Sequence, residues 1–426
     1  MTDLKVKELK RPLKGEATPP ADKSISHRAA ILAALAKGKS RIKNFLKAAD
    51  TISTLNALRA LGVEIKEGKD ILIKGKGLHA LKEPLDVIDC GNSGTTMRLL
   101  AGLLSGNDFF SVLTGDGSLR SRPMGRVILP LSQMGAHIIA RDDNRYPPLS
   151  IKGGSLKGIS YKMPVASAQV KSALILAGLY AKGKTEIIEP APSRDHTERM
   201  LSSMGADIKV KGNRIRVKAG KALSPIDITV PGDFSSAAFF IVAATIVPGS
   251  EILVKSVGVN EKRTGLLRVL ERMGADVQLL NIRSISGEPV ADLYVKSVPY
   301  LKPAEVGKEE IPLLIDEVPI LCVAMAVASG ESVIRGAEEL RVKESDRIAG
   351  MAYGLKRMGI KVKECRDGLS IKGGTLKGAR VKSFGDHRIA MAFSIAALTA
   401  HGASVIENAD AVAISYPGFY SALKGL

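Results

Sequence analysis

No tryptophan occurs in the 426 residues, and phenylalanine and tyrosine bring the aromatic share to only 4%. Without stacking platforms, a groove for single-stranded nucleic acid has little to build on. Cysteine is nearly as scarce. Cys90, Cys322 and Cys365 are widely spaced, odd in number and form no CxxC pair. That excludes a disulfide framework and fits a reduced compartment. The histidines at positions 27, 79, 137, 196, 387 and 401 show no ligand spacing, so no metal site is expected. The longest apolar stretch runs from Ala237 to Val247 and stops at Pro248, too short to span a bilayer. The opening MTDLKVKELKRPLKG lacks the apolar core of a secretory signal. The expectation is a soluble, cytoplasmic protein with no membrane partner.

Negative charge is also in short supply: 62 basic residues stand against 43 acidic ones, a net charge of +19. Such an excess suggests nucleic acid. The lack of aromatics opposes it, and many lysines fall in strand edges such as KVKGNRIRVKAGK (209–221), where charge resists edge pairing. No nucleic-acid partner is expected. What remains for the charge is steering of small anionic substrates.

What the chain has in abundance is a repeat of about 70 residues, six times over. An Ala- and Leu-rich stretch ends in a glycine that launches a β-branched run: LAALAKGKSRI, LAGLLSGNDFF, LAGLYAKGKTEI, IVAATIVPGSEI, AMAVASGESVI and AALTAHGASVI. The glycines are Gly38, Gly106, Gly183, Gly249, Gly330 and Gly402. A second signature follows five of them, with Gly62, Gly135, Gly205, Gly274 and Gly359: LRALGVEI, LSQMGAHI, LSSMGADI, LERMGADV and LKRMGIKV. Each repeat reads helix, glycine, strand, helix, glycine, strand, with a left-handed glycine expected past each helix. The first helix is apolar nearly all round and must be buried. The second, as in EKRTGLLRVLERM, is amphipathic and belongs outside.

A chain of this length exceeds one core, so six repeats divide into two α/β domains of three. Residues 22–232 hold repeats one to three. Residues 233–426 hold repeats four to six but lack a closing segment, which residues 1–21 are placed to supply. The chain then starts in the C-terminal domain, crosses near Ala21 and returns near Gly232, forming a double-crossover hinge.

Counting back 12 to 16 residues from each first-helix glycine reaches Lys23, Gly94, Gln169, Asp233, Asp316 and His387. Counting back from the second-helix glycines reaches Arg122, Ser193 and Arg347. All fall at helix starts, whose unsatisfied N–H groups and partial positive charge bind anions. Together with Arg28, Lys343 and Arg388, such a face suits a phosphate- or carboxylate-bearing ligand. Taken singly, Asp22, Ser24, Ser93, Ser167 and Asp233 read as ordinary helix caps. RVKESDR (341–347) alone reads as a solvated helix start. Asp316 stands between Leu313-Leu314-Ile315 and Val318-Pro319-Ile320, where a carboxylate needs a partner or a raised pKa.

PADKSISHRAAILAALA, DCGNSGTTMR, GDGSLRSRPM, ASAQVKSALILAGL, LRVKESDRI and GDHRIAM occur in that order. With these, the chain resembles the 5-enolpyruvylshikimate-3-phosphate synthases of the enolpyruvyl transferase family, end to end. The resemblance implies two domains of three βαβαββ repeats around buried parallel helices, an inside-out α/β barrel. It implies transfer of the enolpyruvyl group of phosphoenolpyruvate to the 5-hydroxyl of shikimate 3-phosphate, releasing phosphate, with no metal or organic cofactor. It assigns Lys23, Ser24, Arg28, Ser167, the Ala168 backbone, Gln169, Asp316 and Lys343 to shikimate 3-phosphate. Lys23, Gly94, Arg122, Gln169, Arg347 and Arg388 go to phosphoenolpyruvate. Lys23 and Glu344 match the proton-transfer groups, and Asp316 the base for the attacking hydroxyl. A monomer is implied, with glyphosate as an inhibitor that Gly94 leaves room for. The chain departs from the pattern at Ile414, where many relatives carry a lysine, and at Ala168, where some carry serine. A transferase acting on UDP-N-acetylglucosamine would usually place a cysteine in the GDGSLRSRPM loop, which has none.

Overall fold

The computed structural model describes residues 2–426. The chain divides into two compact units, one of Ala21–Val230 with Ile285–Glu288, the other of the chain up to Pro20 with Pro231–Ser284 and Pro289–Leu426. The tip Ile285–Glu288 closes a long hairpin of strands Asp276–Ile285 and Glu288–Lys296, and no signature in the sequence marks it.

In the first unit three inner helices, Lys23–Leu35, Gly94–Ser105 and Ala168–Gly178, are buried along nearly their whole length. Beyond the polar residues near their starts, their side chains are apolar nearly all round, so only a position surrounded by other elements removes them from water. Outer helices Ala49–Ala60, Gly125–Gln133 and His196–Ser203 bury one side only. The second unit repeats the plan with inner helices Phe234–Ile246, Val318–Ala326 and His387–Leu398. Its outer helix Gly265–Arg272 buries Gly265, Leu266, Val269 and Leu270, a single helical stripe. Among the described residues no helix is long and apolar enough to cross a membrane.

Each inner helix feeds a strand that pairs antiparallel with a later strand of its own repeat and parallel with one from the repeat before. Lys184–Ile188 lies between Arg214–Lys218 and Ser160–Lys162 in this way. In the first repeat the parallel partner of Lys37–Lys43 is Asp227–Thr229, from the end of repeat three, so the unit closes on itself. In the second unit the chain start does this work. Lys14–Ala17 pairs parallel with Glu251–Gly258 of repeat four, and Leu4–Lys7 pairs antiparallel with Ala403–Glu407 of repeat six. Both edges that the truncated sixth repeat leaves open are thereby covered.

Ten of the eleven signature glycines have positive φ, as a left-handed residue past a helix requires. Gly106 does not: its φ is −91°, and it caps its helix in right-handed geometry. Proximity explains it, since a Cβ there would fall 2.4 Å from the Tyr180 ring. Gly102, one turn earlier, lets the second inner helix approach the third, where a Cβ would meet the Ala173 carbonyl at 2.1 Å.

Candidate active site

In the first unit, side chains at the starts of the inner helices bond to one another, so those starts share one end of the unit. Gln169 accepts from Arg98 Nη1 at 2.7 Å and donates to Thr95 Oγ1 at 2.9 Å, tying the third inner helix to the second. Thr54 and Thr96 hydroxyls meet at 2.6 Å, and His27 Nδ1 contacts Thr54 at 2.7 Å. Lys23 occupies the first position of its helix and reaches Asp50 Oδ2 at 3.1 Å. Arg28, almost fully buried, donates from Nε to Thr197 at 2.8 Å and from Nη2 to Ser172 at 2.9 Å. Burial, reinforced by the charges of Lys23 and Arg28, pushes the His27 pKa well below the usual histidine range, so it stays neutral.

Gly94 opens the second inner helix, and an added Cβ would stand 2.9 Å from Arg98 Nη1 and 3.5 Å from Arg122 Nη1. Arg122 lies in the turn before the outer helix Gly125–Gln133. It is fixed by Asn92, through the side-chain oxygen at 2.6 Å and the backbone carbonyl at 3.2 Å, and by Ser118 at 3.1 Å.

In the second unit four of the expected residues form one ion cluster. Arg347, fully buried, opens the outer helix Arg347–Arg357. It reaches Asp386 at 2.8 Å, Glu344 at 2.5 Å and Asp316 at 3.5 Å. Arg388 joins through Nη2 to the Asp316 carboxylate at 3.8 Å and through Nη1 to the Asp316 carbonyl at 3.1 Å. Asp316 thus has cationic partners in its apolar setting. Burial alone would pull the Arg347 guanidinium down, but Asp386, Glu344 and Asp316 outweigh it and hold its pKa above the ordinary value. Burial alone would raise Asp386, and Arg347 outweighs it, so that carboxyl is held below the ordinary value. RVKESDR is therefore no solvated helix start at its end: Arg347 is buried inside the cluster.

Capping and the candidate site coincide. Asp22, Ser93, Ser167 and Asp233 each accept from a backbone N–H in the first turn of an inner helix. Ser24 is the exception: it sits inside the helix and accepts from Arg194 Nη1 at 3.2 Å. Ala168 is the first residue of the third inner helix. Lys343, half-buried, lies in the link between the short turn Glu338–Val342 and the helix starting at Arg347.

Five residues of this region escaped the sequence reading: Asp50, Arg98, Arg194, Thr197 and Asp386. Asp386 had a signal, because it is to the sixth inner helix what Asp22 and Asp233 are to the first and fourth. Asp50 and Arg98 lie within helices, where no glycine register singles them out.

A family model described as EPSP synthase (3-phosphoshikimate 1-carboxyvinyltransferase) matches residues 7–423. A 3-phosphoshikimate 1-carboxyvinyltransferase of Thermodesulfovibrio yellowstonii is 57% identical over 418 residues, 97% of each chain. One of Syntrophomonas wolfei is 56% identical over 425 residues, 99% of each. Among solved structures, EPSP synthase from Acinetobacter baumannii superposes with a TM-score of 0.88 at 45% identity, covering 100% of this chain and 98% of that one. The enolpyruvyl transferase NikO from Streptomyces tendae, at 17% identity and a TM-score of 0.78, covers 100% of this chain and 97% of its own and shares the fold. The expected α/β architecture of the enolpyruvyl transferases is thus the one found. With the family model spanning nearly the whole sequence and relatives more than half identical over it, the chain belongs to the EPSP synthase family of 3-phosphoshikimate 1-carboxyvinyltransferases.

Proposed function

We propose that the residues gathered at the helix starts of the two units serve one reaction, the transfer of the enolpyruvyl group of phosphoenolpyruvate to the 5-hydroxyl of shikimate 3-phosphate. The family carries the reaction, an addition followed by an elimination. A proton added to the methylene carbon of phosphoenolpyruvate makes its C2 electrophilic. The hydroxyl oxygen attacks C2 as its own proton leaves. The tetrahedral intermediate then loses a proton from the methyl group and expels phosphate, restoring the enol ether.

The observation that carries the assignment of roles is the cluster of Asp316, Glu344, Arg347 and Arg388. Asp316 is the base for the hydroxyl proton. Two guanidiniums stand beside its carboxylate, Arg347 at 3.5 Å and Arg388 at 3.8 Å. With Asp386, three carboxylates face two guanidiniums. Glu344, 2.5 Å from Arg347, is one of the proton-transfer groups. Lys23 is the other proton-transfer group, and Arg122, Arg347 and Arg388 stabilise the departing phosphate. Ser24, Arg28, Ser167, Ala168, Gln169 and Lys343 hold shikimate 3-phosphate, while Gly94 and Gln169 border phosphoenolpyruvate. The same proposal includes inhibition by glyphosate at the phosphoenolpyruvate site, a monomer, a cytoplasmic location, and a hinge at the crossings near Ala21 and Gly232. Small-angle scattering with and without shikimate 3-phosphate tests the hinge.

The test of the site is Lys23→Met, which removes a charge-assisted contact and a proton donor together. Turnover and phosphoenolpyruvate affinity should fall together. Near-normal turnover in that variant contradicts the role given to Lys23.

A further inference from the structure

Lys171 stands one turn into the third inner helix, an element apolar at almost every other position, and its side chain is fully withdrawn from solvent. A lysine so placed needs a partner for each of its three ammonium protons. It has them: Glu198 Oε1 at 2.7 Å, Glu189 Oε2 at 2.9 Å and the Ser193 carbonyl at 3.2 Å. Burial alone would pull the ammonium toward its neutral form, but Glu198 and Glu189 outweigh it and hold its pKa above the ordinary value.

The three partners are strung along one turn. Glu189 follows the strand Lys184–Ile188, Ser193 lies midway, and Glu198 is in the first turn of the outer helix His196–Ser203. The Ser193 hydroxyl donates to Glu189, and Asn213 Nδ2 holds the Glu189 carbonyl at 2.8 Å. That turn also carries the groups that reach Ser24 and Arg28. Arg194 Nη1 donates to Ser24 Oγ at 3.2 Å, and Thr197 accepts from Arg28 Nε at 2.8 Å. Ser172, the neighbour of Lys171, accepts from Arg28 Nη2 and meets Thr197 at 2.8 Å.

We propose that Lys171 is a positioning residue for shikimate 3-phosphate, clamping the Glu189–Glu198 turn so that Arg194 and Thr197 hold Ser24 and Arg28 in register. It acts without touching substrate, since a side chain with no exposed surface and three filled donors has nothing left to offer a ligand. The inference rests on the assignment of Ser24 and Arg28 to shikimate 3-phosphate, and the experiment separates the two.

Steady-state kinetics are measured on the full chain with each substrate varied in turn. Lys171→Met should raise KM for shikimate 3-phosphate by about 10- to 100-fold, the scale on which small misplacements act. KM for phosphoenolpyruvate and kcat should stay within about threefold, the pattern of lost binding common to ground and transition states. Glu198→Ala, which removes the shortest contact and leaves the lysine its Glu189 partner, should raise the same KM by about 3- to 10-fold, a part of that effect. It decides the matter should Lys171→Met fail to fold. Arg28→Lys is the control. If it leaves KM for shikimate 3-phosphate unchanged, the underlying assignment is wrong. If Arg28→Lys raises that KM while soluble Glu198→Ala or Lys171→Met changes only melting temperature or kcat, the positioning role is wrong.

Discussion

Arg347 and Asp386 are both hidden from solvent, and the guanidinium reaches both carboxylate oxygens, from Nε at 2.8 Å and from Nη2 at 3.4 Å. The same carboxylate accepts from the Arg388 backbone N–H at 2.8 Å, capping the last inner helix, and from Ser345 Oγ at 3.1 Å. One buried acid therefore orders two arginines of the candidate site. Removing one member of a buried pair leaves the other charge uncompensated, at a cost of about 3–5 kcal/mol. Asp386→Ala should lower the free energy of unfolding by that amount and Asp386→Asn by less, measured by urea denaturation.

Acid should weaken the fold in two stages. His27 has a pKa well below the ordinary histidine value of 6.5, so as pH falls through 6.5 the unfolded chain binds a proton that the folded chain refuses. Its contribution is complete above that value and is lost between there and the folded pKa. Asp386 is held below 3.8, so its contribution is complete above that value and disappears as pH drops further through the folded pKa. Urea denaturation at a series of pH values should show stability falling with acidification from about pH 7 to about pH 5. A flat profile over that range contradicts the neutral, buried His27.

Gly94→Ala should act on the anion site and spare the fold. The new methyl group would crowd Arg98 Nη1 at 2.9 Å, the tip of a flexible side chain, and come into ordinary contact with Arg122 Nη1 at 3.5 Å. Displacing Arg98 by a fraction of an ångström beside Arg122 should raise KM for phosphoenolpyruvate about 10- to 100-fold. Glyphosate inhibition should weaken at least as much, with the melting temperature unchanged. Wild-type values for both ligands would mean that Gly94 does not border their site.

Asp316→Asn keeps the shape of the side chain and removes the base. Turnover should fall by roughly 10²–10⁴-fold, the usual worth of general base catalysis. Arg388 keeps its bond to the Asp316 backbone carbonyl, so its placement should survive. Calorimetry should still detect shikimate 3-phosphate. Near-wild-type turnover assigns the base elsewhere.

The repeat made much of the fold legible, because apolar stretches and terminal glycines are local signals of buried helices and their ends. Lys23, Gly94 and Arg347 were placed at helix starts by register alone, and there they stand. Gly106 misled because close packing against Tyr180 demands a glycine as strictly as a left-handed turn does. Arg98 and Asp50 were silent because their roles depend on partners 71 and 27 positions away, Gln169 and Lys23. Lys171 was visible only as a charged residue in an apolar helix: the glycine register reached Ser193 on the partner turn, but nothing local singled out Glu189 or Glu198.

Release of inorganic phosphate by the purified chain tests the central claim most directly. Phosphate should appear only when shikimate 3-phosphate and phosphoenolpyruvate are both present, and omitting either should abolish it. Release with phosphoenolpyruvate and UDP-N-acetylglucosamine, or no release with the proper pair, would contradict the account.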